Sequence, residues 1–320
     1  GTDPVEYFGP TATVIIRDIN LNATNASLGP KSTNDAICKL ENATYTAELP
    51  FEGGLVHCTL YIDENSTYNF NGMQGGTDAI YNQGTINVNT YPDAGNYMFA
   101  SDYDTWGIGM SGVLGGKGTV TVTDDPRNRK NTSGLILYTG PITNLQITGD
   151  YKVDATNGDG DSFGVNNSNS TTMSITGTLT VDAPNTAGVY SGSLPRTNDY
   201  SGEINVTGTT ATGIQSAAQI NNLKIGILDV HATQGDAIGI VSGGDMKVTA
   251  ASNAVINVNS DNETANVVAI KSGGSLTLAT TDVFTVNAGI EAAGDIVIEK
   301  GARVEFAQGT KNQYIKGNLT

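Results

Sequence analysis

Histidine, cysteine and tryptophan are almost missing from this chain: of 320 residues, two are His, two are Cys and one is Trp. A zinc site would need Cys/His spacing that is not there, since no CxxC occurs and the histidines, His57 and His231, lie far apart. The same scarcity leaves little for imidazole-based acid–base chemistry. Basic residues are also few, 16 against 32 acidic ones, for a net charge of −16. That balance argues against nucleic acid or anionic lipid as a partner, because both require a positive footprint. It is compatible with calcium. No apolar run approaches the length of a membrane-spanning helix. No segment sustains apolar residues at i, i+3, i+4 and i+7 with a cap, so little helix is expected.

Glycine is plentiful at 40 residues, alongside many Asn, Thr and Ser, and Val, Ile and Leu are spread evenly. Such a chain reads as short strands with frequent turns, too long for one ordinary core. A repeat then becomes visible. "GIVSGGDMKV" begins at Gly239, "AIKSGGSLTL" at Ala269 and "GIEAAGDIVI" at Gly289. Each has a small residue, an aliphatic anchor, a turn and an alternating strand. Anchors of this kind fall at Ile80, Ile108, Leu135, Val165, Val189, Ile214, Ile240, Ile270, Ile290 and Ile315, on average about 26 residues apart, a solenoid period.

Two further alternating segments recur in each period, as in "DMKVTA" and "NAVINVN", so each coil should hold three strands. The expected fold is all-β: a right-handed parallel β-helix of about ten coils. Anchor isoleucines should stack inward, and glycine or alanine before them suits a sharp corner. Two residues beyond the anchor, Ser191, Ser216, Ser242 and Ser272 should form a buried ladder with hydroxyls bonding along the axis. The regular helix is expected over residues 76–320. Residues 1–75 read as wider first coils or a small cap, with Cys38 and Cys58 forming a disulfide in an exported protein or remaining thiols in a reducing compartment.

The phrase Gly/Ala-Ile-x-x-x-Gly-x-Ile-x-Ile, with "GTVTV" and "GTLTV", resembles the pectate-lyase-like right-handed parallel β-helix. It also resembles β-helical surface and carbohydrate-binding proteins of bacteria, and the likeness covers about residues 80–320. The resemblance implies, for an enzyme, an outer-face cluster of Asp, Arg, Lys and His. "TVTDDPRNRK" sets Asp124 and Asp125 beside Arg127, Arg129 and Lys130, but the Asn-Thr-Asp, His-Gly and Arg-Ile-Lys motifs of polygalacturonases are absent. Adjacent carboxylates leading into a proline turn read as a solvated loop, not an acid–base pair.

Other candidates remain. In "DATNGDGDSFG", Asp154, Asn157, Asp159 and Asp161 space oxygen ligands like the start of a calcium loop. Ser162 and Ser168 stand where an EF-hand needs Gly and Glu, so any calcium site would be a solenoid-edge one. "TYPDAGNYMFASDYDTWG" crowds Tyr91, Tyr97, Phe99, Tyr103 and Trp106 into one insertion near Asp93, Asp102 and Asp104. It can serve as a sugar-stacking surface, extended by Tyr81 and Tyr190, or as the aromatic core of a folded-back loop.

Ten N-glycosylation sequons occur, at Asn22, Asn25, Asn42, Asn65, Asn131, Asn166, Asn169, Asn205, Asn262 and Asn318. The chain opens as a trimmed product would, without a signal peptide. At its other end the coil begun at Ile315 has no capping helix, so continuation or head-to-tail stacking of copies is expected there. The leading expectation is an extracellular, non-catalytic structural or adhesive surface protein that self-assembles into filaments. A carbohydrate-binding protein is the first alternative, and a polysaccharide lyase or glycoside hydrolase the second.

Overall fold

A computed structural model describes residues 13–23, 36–47, 58–71, 77–89, 91–92, 105–123, 132–136, 145–156, 161–167, 173–192, 194–280, 282–308 and 313–320. Its regular elements are all strands, and neighbouring strands pair in parallel along a right-handed parallel β-helix. The chain divides into two compact units, Gly1–Ser162 and Phe163–Thr320.

In the second unit each coil takes three strands. One coil is Ala237–Ser242 with both halves of Met246–Ser260, and the next is Val267–Ser272, Leu276–Ala279 and Val283–Val286. The anchor column runs as the repeat requires: Val189 pairs with Ile214, then Ile240, Ile270, Ile290 and Ile315. All but Ile315 are buried. Each buried isoleucine stabilises its coil by about 1.5–3 kcal/mol relative to an exposed one.

The small residue before each anchor has a different cause from the sharp corner expected. A Cβ on Gly213 would lie 2.6 Å from the Gly239 carbonyl oxygen and 2.6 Å from Leu228 Cδ1 of the opposite wall. On Gly239 it would meet the Ala269 carbonyl at 2.4 Å and Ile256 Cγ2 at 2.8 Å. The coil interior is too narrow there for a side chain on both walls. At Gly289 the crowding atom is different, the Tyr314 ring at 2.4 Å.

The serine column also departs from expectation in one respect. Ser191, Ser216, Ser242 and Ser272 are buried and in register. Yet the hydroxyls of the last three lie against turn carbonyls, not against one another: Ser216 Oγ is 3.4 Å from Gln219 O, Ser242 Oγ donates to Gly244 O at 2.7 Å, and Ser272 Oγ shares its proton between Gly244 O and Ser275 O, each at 3.0 Å. The serines therefore fasten the turns that follow them, and Ser272 also ties its coil to the turn of the coil before.

The first unit stacks in the same way, and its register crosses residue 75. Cys38 pairs with Leu60, Leu60 with Ile80, Ile80 with Leu114 and Leu114 with Ile147. Ile108 was expected above Ile80, but it pairs with Leu135 in another column. The long strand Thr105–Gly116 carries both aliphatics, with a register shift between Met110 and Val113. A second inward column holds Tyr45, Tyr68, Ile86, Val120 and Tyr151. Tyr45 and Tyr68 stack at 5.3 Å, and Phe70 lies 4.6 Å from Tyr68. Much of the aromatic content thus fills the core.

The expected disulfide is not found among the described residues. Cys58 stands opposite Ala36, not Cys38, so the two cysteines are two residues out of register on adjacent strands. That diagonal puts their Cα atoms about 8 Å apart, beyond the reach of a disulfide.

The corner between the two faces of the first unit is a polar ladder. Asn42 adopts positive φ (47°), donates from Nδ2 to Asp18 Oδ1 at 2.7 Å and from its backbone N–H to Asp63 Oδ2 at 2.9 Å. Asp63 Oδ1 accepts from Ser66 Oγ at 2.6 Å and from the Asn65 N–H at 3.1 Å. Partial desolvation would raise the Asp63 pKa, but the hydrogen bonds from Ser66, Asn42 and Asn65 together hold it below the ordinary value.

Two outcomes follow for stability. Gly239→Ala should cost about 1–3 kcal/mol by overpacking, whereas Ala269→Gly, which adds no atom, should cost no more than about 1 kcal/mol; denaturant titration compares them, and equal effects would contradict the narrow-interior account. Because the Asp63 pKa is lowered by folding, its contribution exists above the ordinary carboxylate value of about 4 and is lost as pH falls through the lower folded value. Thermal melts of wild type and Asp63→Asn should therefore differ at neutral pH and converge in acid.

Candidate functional site

Outward positions of successive coils fall into columns, because parallel in-register strands repeat every coil at about 4.8 Å. On one face of the first unit the column reads Ile15, Lys39, Tyr61, Tyr81. The two tyrosine rings stack at 5.1 Å with an interplanar angle of 17° and are 40% and 38% exposed. Lys39 Nζ lies 5.9 Å from the Tyr61 ring centre, within cation–π range. Two large rings stacked face to face along the coil axis order one another and leave ring edges in solvent, an amphipathic surface able to contact a sugar or another planar group.

Around the corner lies a face of different chemistry. With Tyr45, Tyr68, Ile86 and Val120 pointing inward, the alternate residues point out. One outward column is Thr44, Thr67, Thr85 and Thr119, and its neighbour is Thr46, Asn69, Asn87 and Thr121. Asn87 Nδ2 donates to Asn69 Oδ1 at 2.9 Å, and Asn69 Nδ2 donates to Thr46 Oγ1 at 3.1 Å, so the second column is tied together along the axis. Charge enters only at the following strand, Asp150–Asp154, with Asp150 and Lys152.

Of the residues singled out from sequence, Tyr81 takes part in this surface, while its partner Tyr61 was missed. The signal for Tyr61 was its pairing with Tyr81 at the same place in adjacent coils, "LYI" and "IYN". Tyr190 is half-buried against Phe163, with ring centres 4.9 Å apart. The backbones of Tyr91 and Trp106 pair in an antiparallel bridge, which closes the neck of the aromatic insertion. Tyr97, Phe99 and Tyr103 lie outside the described residues, as do Asp124, Asp125, Arg127, Arg129 and Lys130.

In the proposed calcium loop, the Asp154 carboxylate already receives Thr156 Oγ1 at 3.0 Å and has Lys152 Nζ at 3.7 Å. Asp161 begins the strand Asp161–Asn167, and Asn157 and Asp159 lie outside the described residues. Among the described residues no three His, Cys, Asp or Glu side chains converge on a metal position. His231 Nε2 sits 3.2 Å from Asp261 Oδ2 at the surface.

The sequon asparagines differ in what their amides already do. Asn22 and Asn65 are exposed. The amide nitrogens of Asn42, Asn205, Asn262 and Asn318 donate to Asp18, Glu203, the Gln234 carbonyl and Asp295 respectively. Asn166 is half-buried, with its side-chain oxygen buried, and Asn25, Asn131 and Asn169 lie outside the described residues.

A cavity of about 10 Å³ is lined by Asn82, Leu114, Gly115, Tyr151 and neighbours. It has room for no more than a water. The Tyr151 hydroxyl is buried without a hydrogen-bond partner among the described residues, and burial pushes its pKa well up. What the described surface offers is a set of ordered outer columns. No known family's model matches the chain, and comparison with curated proteins and with solved structures found no similar protein.

Proposed function

We propose that this protein is an extracellular, non-catalytic structural and adhesive protein of the cell surface, whose coils present ordered columns of side chains to a partner. The observation that carries this reading is the exposed, stacked Tyr61–Tyr81 pair. Two aromatic rings of this size held in water serve no core, and their stacking fixes them in advance of any contact, which lowers the ordering cost of binding. The strand pattern that resembles β-helical surface and carbohydrate-binding proteins supports the same reading. Self-association is its second part. The strand Ile315–Leu319, with Ile315 42% and Leu319 58% exposed, is the surface such an association would use.

Beads coated with the protein should adhere to cell layers, and the double substitution Tyr61→Ala/Tyr81→Ala should cut adherence several-fold while leaving the first unit folded by circular dichroism. Adherence untouched by the substitution would remove the tyrosine pair from the mechanism. Release of new reducing ends or unsaturated products from acidic polysaccharides would turn the reading to the lyase or hydrolase alternative. Sedimentation velocity over a concentration series reads the self-association, which should weaken with Leu319→Lys.

A further inference from the structure

We propose that the threonine–asparagine face of the first unit binds an extended, neutral polysaccharide laid along the coil axis. This rests on the adhesive reading above and names its site and ligand class. On the strands Asn20–Ala23, Thr44–Ala47, Thr67–Asn71, Thr85–Asn89 and Thr119–Thr123, the outward positions in register are filled by Thr or Asn alone. The chain carries 16 basic and 32 acidic residues, yet none stands at a described outward position of these five strands; charge enters at the adjoining strand with Asp150, Lys152 and Asp154.

Strand formation does not account for the choice. Threonine suits an outward strand position, but asparagine is disfavoured there. Nor does avoidance of like charges in a stack require neutrality. Elsewhere the protein alternates sign: Arg17 pairs with Glu41, Lys224 with Asp199, and Glu291 stands between Lys271 and Lys316. Where an alternating column is available and a neutral one is used over several coils, the neutral chemistry itself is selected.

That chemistry fits sugar hydroxyls, which donate and accept at once, as do the threonine hydroxyl and the asparagine amide. The axial bonds Asn87–Asn69–Thr46 use one N–H of each amide and hold the side chains in place, so that each amide keeps a second N–H for a ligand. Coils repeat at about 4.8 Å and columns lie about 6.6 Å apart along a strand. The coil repeat is close to the length of one residue in an extended β-linked glycan, so successive sugars would meet successive Thr/Asn pairs. A neutral polymer avoids the repulsion that a net charge of −16 imposes on an acidic one. Tyr61 and Tyr81 stand one corner away, a few residues before Thr67 and Thr85 in the same coils, and supply a stacking edge.

The test is retention of the full chain by insoluble cellulose, chitin, mannan and β-1,3-glucan, with alginate as the acidic control and ice-recrystallisation inhibition measured in parallel. At least one neutral polymer should retain the protein and alginate should not. Thr85→Asp/Asn87→Asp should weaken retention about tenfold or more, since it breaks the ladder and places two charges under the ligand. Thr119→Lys/Thr123→Lys, on exposed positions of the next coil, should do the same if the first pair disturbs folding, and Thr277→Asp on the second unit should change nothing. Retention by no neutral polymer, or retention that both face variants leave intact, overturns the proposal. So does ice inhibition without retention, which would assign the array to a water lattice. Cell adherence without polysaccharide retention sinks this inference alone, whereas retention without adherence sinks the adhesive reading and spares this one.

Discussion

Coil-on-coil stacking in parallel register is the constraint on which everything else in this protein depends. Each strand finds its hydrogen-bond partners in the coils before and after it, so every residue's nearest neighbours are its own counterparts one coil away. Inside, that rule builds the isoleucine column from Val189 to Ile290 and demands a small residue before each member, because the walls of a coil are too close for two side chains. The repeated phrase is a record of that narrowness. Where the opposite wall changes, the reason changes too: Gly289 is small because the Tyr314 ring lies over it, and Tyr314 Oη donates to Glu291 at 2.7 Å beside it.

The same rule acts outside with the opposite consequence. An inward column is judged by volume, whereas an outward column is judged by what identical positions do to one another at strand spacing. Like charges in adjacent coils repel. The protein answers in three ways: opposite signs in alternation, amide and hydroxyl ladders, and stacked rings. All three are coil-to-coil contacts of modest energy, with an exposed ion pair or ring pair contributing on the order of 1 kcal/mol. Their value lies in order, since a column tied along the axis presents fixed groups to whatever approaches.

How much of this was legible in the sequence depended on where each coil repeats one phrase without an insertion. From Val189 onward the same phrase recurs in every coil and each anchor stacks on the next, although coil length varies, so the anchors and the buried serines could be read directly. Before that, the insertion after Tyr91 separates Ile80 from its true partner Leu114, and Ile108 occupies the place where a fixed period would have put it. Register is set by what stacks, not by counting, so a long strand with two inward aliphatics is ambiguous until its neighbours are known. The cysteines failed for the same reason: two residues of offset in register separate Cys38 from Cys58, although each sits on a strand of adjacent coils.

The outer face was hidden by a different habit of reading. Alternation identifies strands by their apolar half, and in "TYT", "TYN", "TIN" and "TVT" attention goes to Tyr, Ile and Val, which are buried. The other half of the same pattern is invisible until the strands are stacked, because a Thr or Asn in one strand means nothing alone. Only when Thr44, Thr67, Thr85 and Thr119 stand in one line does the repetition become two-dimensional. The aromatic count misled in the complementary way. It drew attention to an insertion, while Tyr45, Tyr68, Phe70 and Tyr151 were filling the interior and one pair, Tyr61 and Tyr81, had been left in water. In a solenoid the core consumes the residues that usually advertise a site, and what distinguishes the proposed surface is a lattice of ordinary ones.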